Sequence, residues 1–381
     1  MTKKINNLTH RKRSSTEILL VITIGLFIAL YCISLVAFKD DNFGKYSVFF
    51  NFLNNNAYLL MLSLGLTVVM VTGSIDISVG GVTGLVSMTI AVMLLNDKVS
   101  AVWAVVAALG IGLAFGVVQG FLVAYLEIQP FIVTLTGMFF ARGMTSVVRT
   151  ISVPITRNTK GGEMFLNWAE KKIFMQWMGP NGPIPLLYNI RRNGSFDIAY
   201  LTPAALIALL ILVLLIIMMK YSKIGRSFYA VGGNSQSALL MGIDPKKTKF
   251  IAHILCGALA GMGGLFFTLM FTSGSPMNGT GYEIDAISSS VIGGAMLSGG
   301  AGLPIGTFFG VMINGLVAKV VTLLNLEDPS WPRIVTSVFL FGFIVLQSLL
   351  SIYGKNEGGI QEFYKKLKVK RKDENDGSIR N

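Results

Sequence analysis

The chain has 381 residues, 52% of them hydrophobic and only 13% charged, with a net charge of +13 and a mean hydropathy of +0.64. Those proportions exclude both an ordinary water-soluble domain and a disordered chain. The charge does not point to nucleic acid, because it is confined to clusters beside apolar runs and forms no basic stripe interleaved with stacking aromatics.

Read from the start, residues 1–17 form a tail with five Lys/Arg and one acid. The run Ile18–Phe38 that follows is longer than a signal-peptide core and is succeeded by Lys39, Asp40 and Asp41, with no small-x-small cleavage site, so it is read as a retained first span. Runs of roughly 17–25 apolar residues mark membrane crossings. Ten are predicted: Ile18–Phe38, Ala57–Thr72, Val79–Leu95, Ala101–Leu126, Phe131–Val148, Leu201–Lys220, Phe250–Phe271, Ala286–Leu297, Leu303–Leu323 and Arg333–Ile352. The second, third and eighth are short and flanked by glycines, the mark of discontinuous helices around a site. The expected fold is an all-α integral membrane protein of about ten transmembrane helices, some of them short or broken, over residues 18–352, with a charged tail over 353–381.

Orientation follows from charge. Lys220–Lys249 carries six basic residues and one acid, and the tail from Tyr353 to Asn381 carries eight and five. Cytoplasmic segments are enriched in Lys and Arg, so both termini and the 221–249 loop are expected in the cytoplasm. The loop over 149–200 is then external, although it holds seven basic residues against three acidic; loops this long translocate with less regard to charge.

The chain also repeats itself. Phe115-Gly116-Val117 leads to Gly120, and Pro130 opens PFIVT; later Phe309-Gly310-Val311 leads to Gly315, and Pro332 opens PRIVT. On a ten-span count the copies run in opposite directions, the inverted-repeat plan of many transporters. Gly112, Gly116 and Gly120 share a helix face, as do Gly257 and Gly261, and Gly306 and Gly310. These read as surfaces for close helix packing.

Several polar groups stand at membrane depth, where they are costly unless they face protein or a path. Asp76, in TGSIDISVGG, is a candidate both for substrate contact and for capping the next helix with Ser78 beside it. Gln119 and Asn314 each precede the glycine of their repeat copy, and an amide suits either a hydroxylated substrate or an interhelical hydrogen bond. Arg142 is read as a snorkelling side chain or a pathway residue. The segment GYEIDAISSSVIGGAMLSGGAG adds Glu283, Asp285 and Ser289 among six glycines. Glycine packing explains its glycines but not its acids.

In the loop, Gly232-Gly233 is expected to break the chain, Asn234 to cap a short helix Ser235–Met241, and Gly242 with Pro245 to end it. Ala238, Leu239 and Leu240 leave that helix with apolar surface, which suits docking to a partner or lying on the bilayer. In the 149–200 loop, Phe165, Trp168, Phe174 and Trp177 are read as interfacial anchors, or as contacts for an external protein. Cys32 and Cys256 are expected to be buried free thiols, and His10 and His253 suggest no metal. No G-x-x-x-x-G-K-[ST], G-x-S-x-G or H-E-x-x-H occurs, so no enzyme is expected.

Three motifs in order, TGSIDISVGG, YAVGGNSQSALLMGI and GYEIDAISSSVIGGAMLSGG, closely resemble signatures of the sugar-import permeases of the ATP-binding-cassette class. The likeness runs from about Asn51 to Leu350; it departs at Ser74, where a glycine is usual, and in the longer 149–200 connection. The resemblance implies a permease of the cytoplasmic membrane for a monosaccharide or small polyol, or for a nucleoside or furanosyl signalling molecule. It also implies a homodimer or a heterodimer with a paralogue, an extracellular or periplasmic sugar-binding protein, and no cofactor in this chain, with ATP bound by a separate cytoplasmic ATPase. The stretch Gly232, Gly233, Asn234, Ala238, Leu239, Leu240, Gly242 would contact that ATPase. The rival reading is an ion-coupled secondary transporter using Asp76, Glu283 and Asp285.

Overall fold

The computed structural model describes residues 15–39, 43, 46–174, 188–190, 196–324, 328 and 330–349. The helices are α1 (Ser15–Ala37), α2 (Tyr46–Asn55), α3 (Ala57–Val71), α4 (Val79–Met93), α5 (Ala101–Ala124), α6 (Pro130–Val148), α7 (Lys160–Glu170), α8 (Pro203–Tyr221), α9 (Lys223–Gly233), α10 (Ser235–Leu240), α11 (Pro245–Phe271), α12 (Tyr282–Ile292), α13 (Pro304–Leu323) and α14 (Trp331–Leu349). Four of them open on proline, whose fixed φ and missing N–H suit a first helical turn. Short antiparallel pairs trim the loops: β1 (Val153–Pro154) with β4 (Ser273–Gly274), and β2 (Tyr188–Ile190) with β3 (Phe196–Ile198).

The chain is an all-α membrane protein, and the count of about ten crossings is loose among the described residues. Seven helices are long and apolar enough to span a bilayer, or eight if α2 and α3, bent by 54° at their junction, form one span. The other predicted crossings became α3, α4 and α12, of 15, 15 and 11 residues. At 1.5 Å per residue these are about 22 and 16 Å long, short of a hydrocarbon layer about 30 Å thick.

Their burial explains their composition. Every residue of α3 is buried, as are nearly all those of α4. A helix that is apolar all round belongs inside a bundle. The lipid-length helices surround them, with α11 packed on α5, α3 and α4, and α12 on α13 and α3. Hydroxyls tie these layers together: Thr23 donates to the Ile292 carbonyl, Ser290 to that of Ser63, and Thr67 pairs with Thr307 at 2.6 Å.

The glycine faces pack as their spacing predicted. A Cβ on Gly112 or Gly257 would strike the backbone of the other helix, so α5 and α11 meet backbone to backbone. Gly306 and Gly310 likewise press on Gly293 and Ser289.

The loop aromatics behave differently from interfacial anchors. Phe165 is fully buried, with Trp168 and Phe174 half-buried against the core, and Trp177 lies outside the described residues. Cys256 is buried as expected, but Cys32 is exposed, because α1 lies at the edge of the bundle.

Candidate functional site

Two breaks organise the polar residues: 72–78, between α3 and α4, and 293–303, between α12 and α13. At the first, Asp76 is buried, and its Oδ1 accepts the Ser78 N–H at 2.9 Å and the Ser78 hydroxyl at 2.6 Å. This is an Asx-turn, in which a short carboxylate bonds backbone two residues on. Asp76 therefore holds the break itself, while Ser78, the N-cap of α4, makes no side-chain cap bond. The Ser78 hydroxyl also lies 3.2 Å from Gln119 Oε1 on α5. One hydroxyl hydrogen serves only one of these acceptors at a time. His253 on α11 brings its Nδ1 to 4.0 Å from Asp76 Oδ2, and the Cys256 thiol reaches the same carboxylate.

A second group joins α6 to α12. Arg142 donates to Glu283 Oε1 at 2.6 Å. Arg142 is thus no snorkelling side chain, since its guanidinium is drawn inward by a buried carboxylate. Glu283 in turn lies on the backbone of α4, where a Cβ on Gly80 would collide with Oε2. The Gly279 carbonyl, 2.7 Å from the same Cβ, is backbone that cannot rotate away, and it accounts for the glycine at position 80.

The third group surrounds Asn314 on α13. Its Nδ2 donates to Ser289 Oγ at 3.3 Å and weakly to the Asp285 carbonyl, while Thr336 on α14 donates to its Oδ1 at 3.0 Å. All its bonds stitch helices together. Asp285 is half-buried in the field of Arg333. The repeat has a structural counterpart here: Gln119 and Asn314 each meet a serine at the short helix preceding their own.

The eight expected pathway residues thus fall into three groups: Asp76, Ser78 and Gln119; Arg142 and Glu283; Asp285, Ser289 and Asn314. A cavity of about 540 Å³ between α5 and α6 reaches Gln119 among Phe115, Val118, Ile132 and Phe140.

The 221–249 loop is more ordered than expected. Gly232 and Gly233 do not break the chain; they form the last turn of α9, and the break falls at Asn234. Asn234 Oδ1 accepts the Ser237 N–H at 2.8 Å, and Gly242, at φ +80°, ends the short helix. Ala238 is buried, whereas Leu239 and Leu240 are 60% and 90% exposed. At the foot of α11, Lys246 donates to Glu127 at 2.8 Å and holds that carboxyl below its usual range.

Gly232 joins this loop to both breaks. A Cβ there would strike the Val71 carbonyl at the end of α3 and come within 2.6 Å of the Gly300 nitrogen. The Gly300 N–H donates to that same carbonyl at 2.9 Å. Gly73, Gly299 and Gly300 all adopt positive φ, which glycine tolerates without strain. Tyr229 completes the junction by donating to the Gly302 carbonyl at 2.7 Å.

Residues 48–346 match the family described as branched-chain amino acid transport system / permease component. The chain belongs to this permease family. Similar proteins include the inner membrane ABC transporter permease protein YjfF of Escherichia coli K12, 34% identical over 88% of this chain and 94% of that protein. The ribose import permease RbsC of the same strain is 32% identical over 80% and 87%. The fructose import permease FruG of Bifidobacterium longum is 30% identical over 79% and 82%. No solved structure gives a significant match. The ribose and fructose relatives are import permeases of the kind the three motifs implied, and the family and its apolar helices make this chain a multi-pass membrane permease.

Proposed function

We propose that this chain is the membrane subunit of an ATP-binding-cassette importer for a monosaccharide or similar small polyol. The observation that carries the reading is α10: a capped, glycine-terminated helix that exposes Leu239, Leu240 and Met241 and is joined to both helix breaks through Gly232. An apolar patch on a short capped helix suits a groove on a partner, here a separate ATPase. The ribose and fructose permeases among its relatives support a sugar as cargo.

In this reading ATP binding and hydrolysis favour one or other state of the complex. Their effect reaches the breaks by way of α9, α10 and the Gly232 junction, while an external binding protein delivers the sugar. The functional unit is a dimer of permeases. The 1–17 and 353–381 tails and the 221–249 loop are cytoplasmic and the 149–200 loop is external, in keeping with the charge distribution. The Arg142–Glu283 pair counts against an ion-coupled carrier, because it leaves Glu283 already neutralised by a fixed partner.

The test is reconstitution of the permease with its ATPase in vesicles, with the binding protein first screened by thermal shift against pentoses, hexoses and polyols. Uptake of the stabilising sugar that requires ATP and the binding protein supports the reading. Uptake driven by an ion gradient without ATP refutes it.

A further inference from the structure

Buried polar atoms are almost always partnered, and His253 departs from that rule. It is 0% exposed, and neither ring nitrogen has a hydrogen-bond partner among the described residues. It lies eight residues along α11 from Pro245, about 12 Å into the span at 1.5 Å per residue. Its Nδ1 points at Asp76 Oδ2 across 4.0 Å, about 1 Å beyond a hydrogen bond. Asp76 Oδ1 is occupied by Ser78, so Oδ2 is the oxygen left to face His253. The nearby Gln119 Nε2 is also buried and unpartnered.

The surroundings allow that gap to close. Across this level α11 meets α5 through a seam of glycines, with Gly112 and Gly116 against Gly257, and Gly116 and Gly120 against His253. At Gly112, Gly116 and Gly257 the contact is backbone on backbone, and packed helices slide by 1–2 Å in shear motions. Moreover, only four residues separate α10 from α11, so a displaced α10 moves α11 directly.

We infer that His253 is a positioning residue for transport: its Nδ1–H closes on Asp76 in the alternate state of the permease and there fixes the 72–78 break. In the present state the bond is open: both ring nitrogens of His253 are left unpartnered, while Asp76 is held by Ser78 on Oδ1. Closure gives Nδ1 its partner and Asp76 a donor from α11 in addition to Ser78, so each state holds a distinct arrangement of the break. The inference rests on the permease reading above, because it takes α10 as the input.

The test uses the full permease–ATPase complex in vesicles and reads ATP hydrolysis stimulated by the binding protein, which needs no knowledge of the sugar. His253→Asn keeps an amide N–H near the Nδ1 position; His253→Leu fills similar space without a donor. We expect His253→Leu to co-purify with its ATPase yet lose about tenfold or more of the stimulated rate, the scale of a lost hydrogen bond to a buried charge. His253→Asn should retain most of it. In an Asp76→Asn background the Leu change should add little, since the bond's acceptor is already altered.

Stimulation of His253→Leu equal to wild type would overturn the inference. So would an equal loss in His253→Asn, which would make volume rather than the donor decisive, or a full extra loss in the double variant. If His253→Leu does not fold, the Asn variant decides: the inference requires that it fold and be stimulated. Failure of the wild-type chain to bind any ATPase would instead sink the permease reading.

Discussion

Gly232 and Gly233 are adjacent glycines in the same last turn of α9, yet their surroundings differ sharply. A methyl group on Gly233 meets nothing within 4 Å, whereas on Gly232 it meets the Val71 carbonyl and the Gly300 nitrogen. Both obstacles are backbone, so neither can rotate away. Forcing a methyl into a filled site costs about 1–3 kcal/mol. Displacing the Val71 carbonyl also threatens the bond it accepts from Gly300, worth about 1 kcal/mol. Helix propensity favours alanine similarly at both positions, so the comparison between them cancels that term. Gly232→Ala should therefore be less stable than Gly233→Ala by about 2–4 kcal/mol, read as thermal unfolding of the purified permease. In vesicles Gly232→Ala should still bind the ATPase, because α10 is untouched, but should lose coupled uptake. Gly233→Ala should behave as wild type. Equal stability and equal uptake in the two variants would refute the junction.

Three further outcomes are expected. Leu239→Ala with Leu240→Ala should leave folding within about 0.5 kcal/mol of wild type, as for other exposed sites, but should abolish or weaken ATPase co-purification; normal co-purification and import would point to a helix resting on the bilayer. Arg142→Met should destabilise more than the Arg142→Met/Glu283→Gln pair, because it strands a buried carboxylate; removing one partner of a fully buried pair costs about 3–5 kcal/mol, and Arg142, about a third exposed, should lie below that range. Equal melting temperatures for the single and double variants would show the pair to be solvated. In a Cys32→Ala background, an impermeant thiol reagent applied to intact cells should label Lys171→Cys but not Gln236→Cys, and the opposite pattern would invert the topology.

What the sequence determined by itself was whatever depends on local chemistry. Apolar runs marked the membrane class, glycine spacing marked packing faces on α5 and α11, and Asn234 with Gly242 delimited α10, because caps and backbone conformation are set within a few residues. Length and flanking glycines marked α3, α4 and α12 as short and discontinuous but left their surroundings open: apolar runs read alike whether lipid or protein surrounds them, and only packing showed α3 to be enclosed on every side. The partners of charged groups were also beyond local reading. Arg142 and Glu283 are 141 residues apart, and no spacing rule joins them. His253 carried no signal as a lone histidine in an apolar helix; it acquired meaning where α11 crosses the break that holds Asp76. The same holds at Gly232, whose neighbour in sequence is equally a glycine. Which of the two has no room for a side chain was decided by the end of α3 and the 293–303 break, brought against it by the fold.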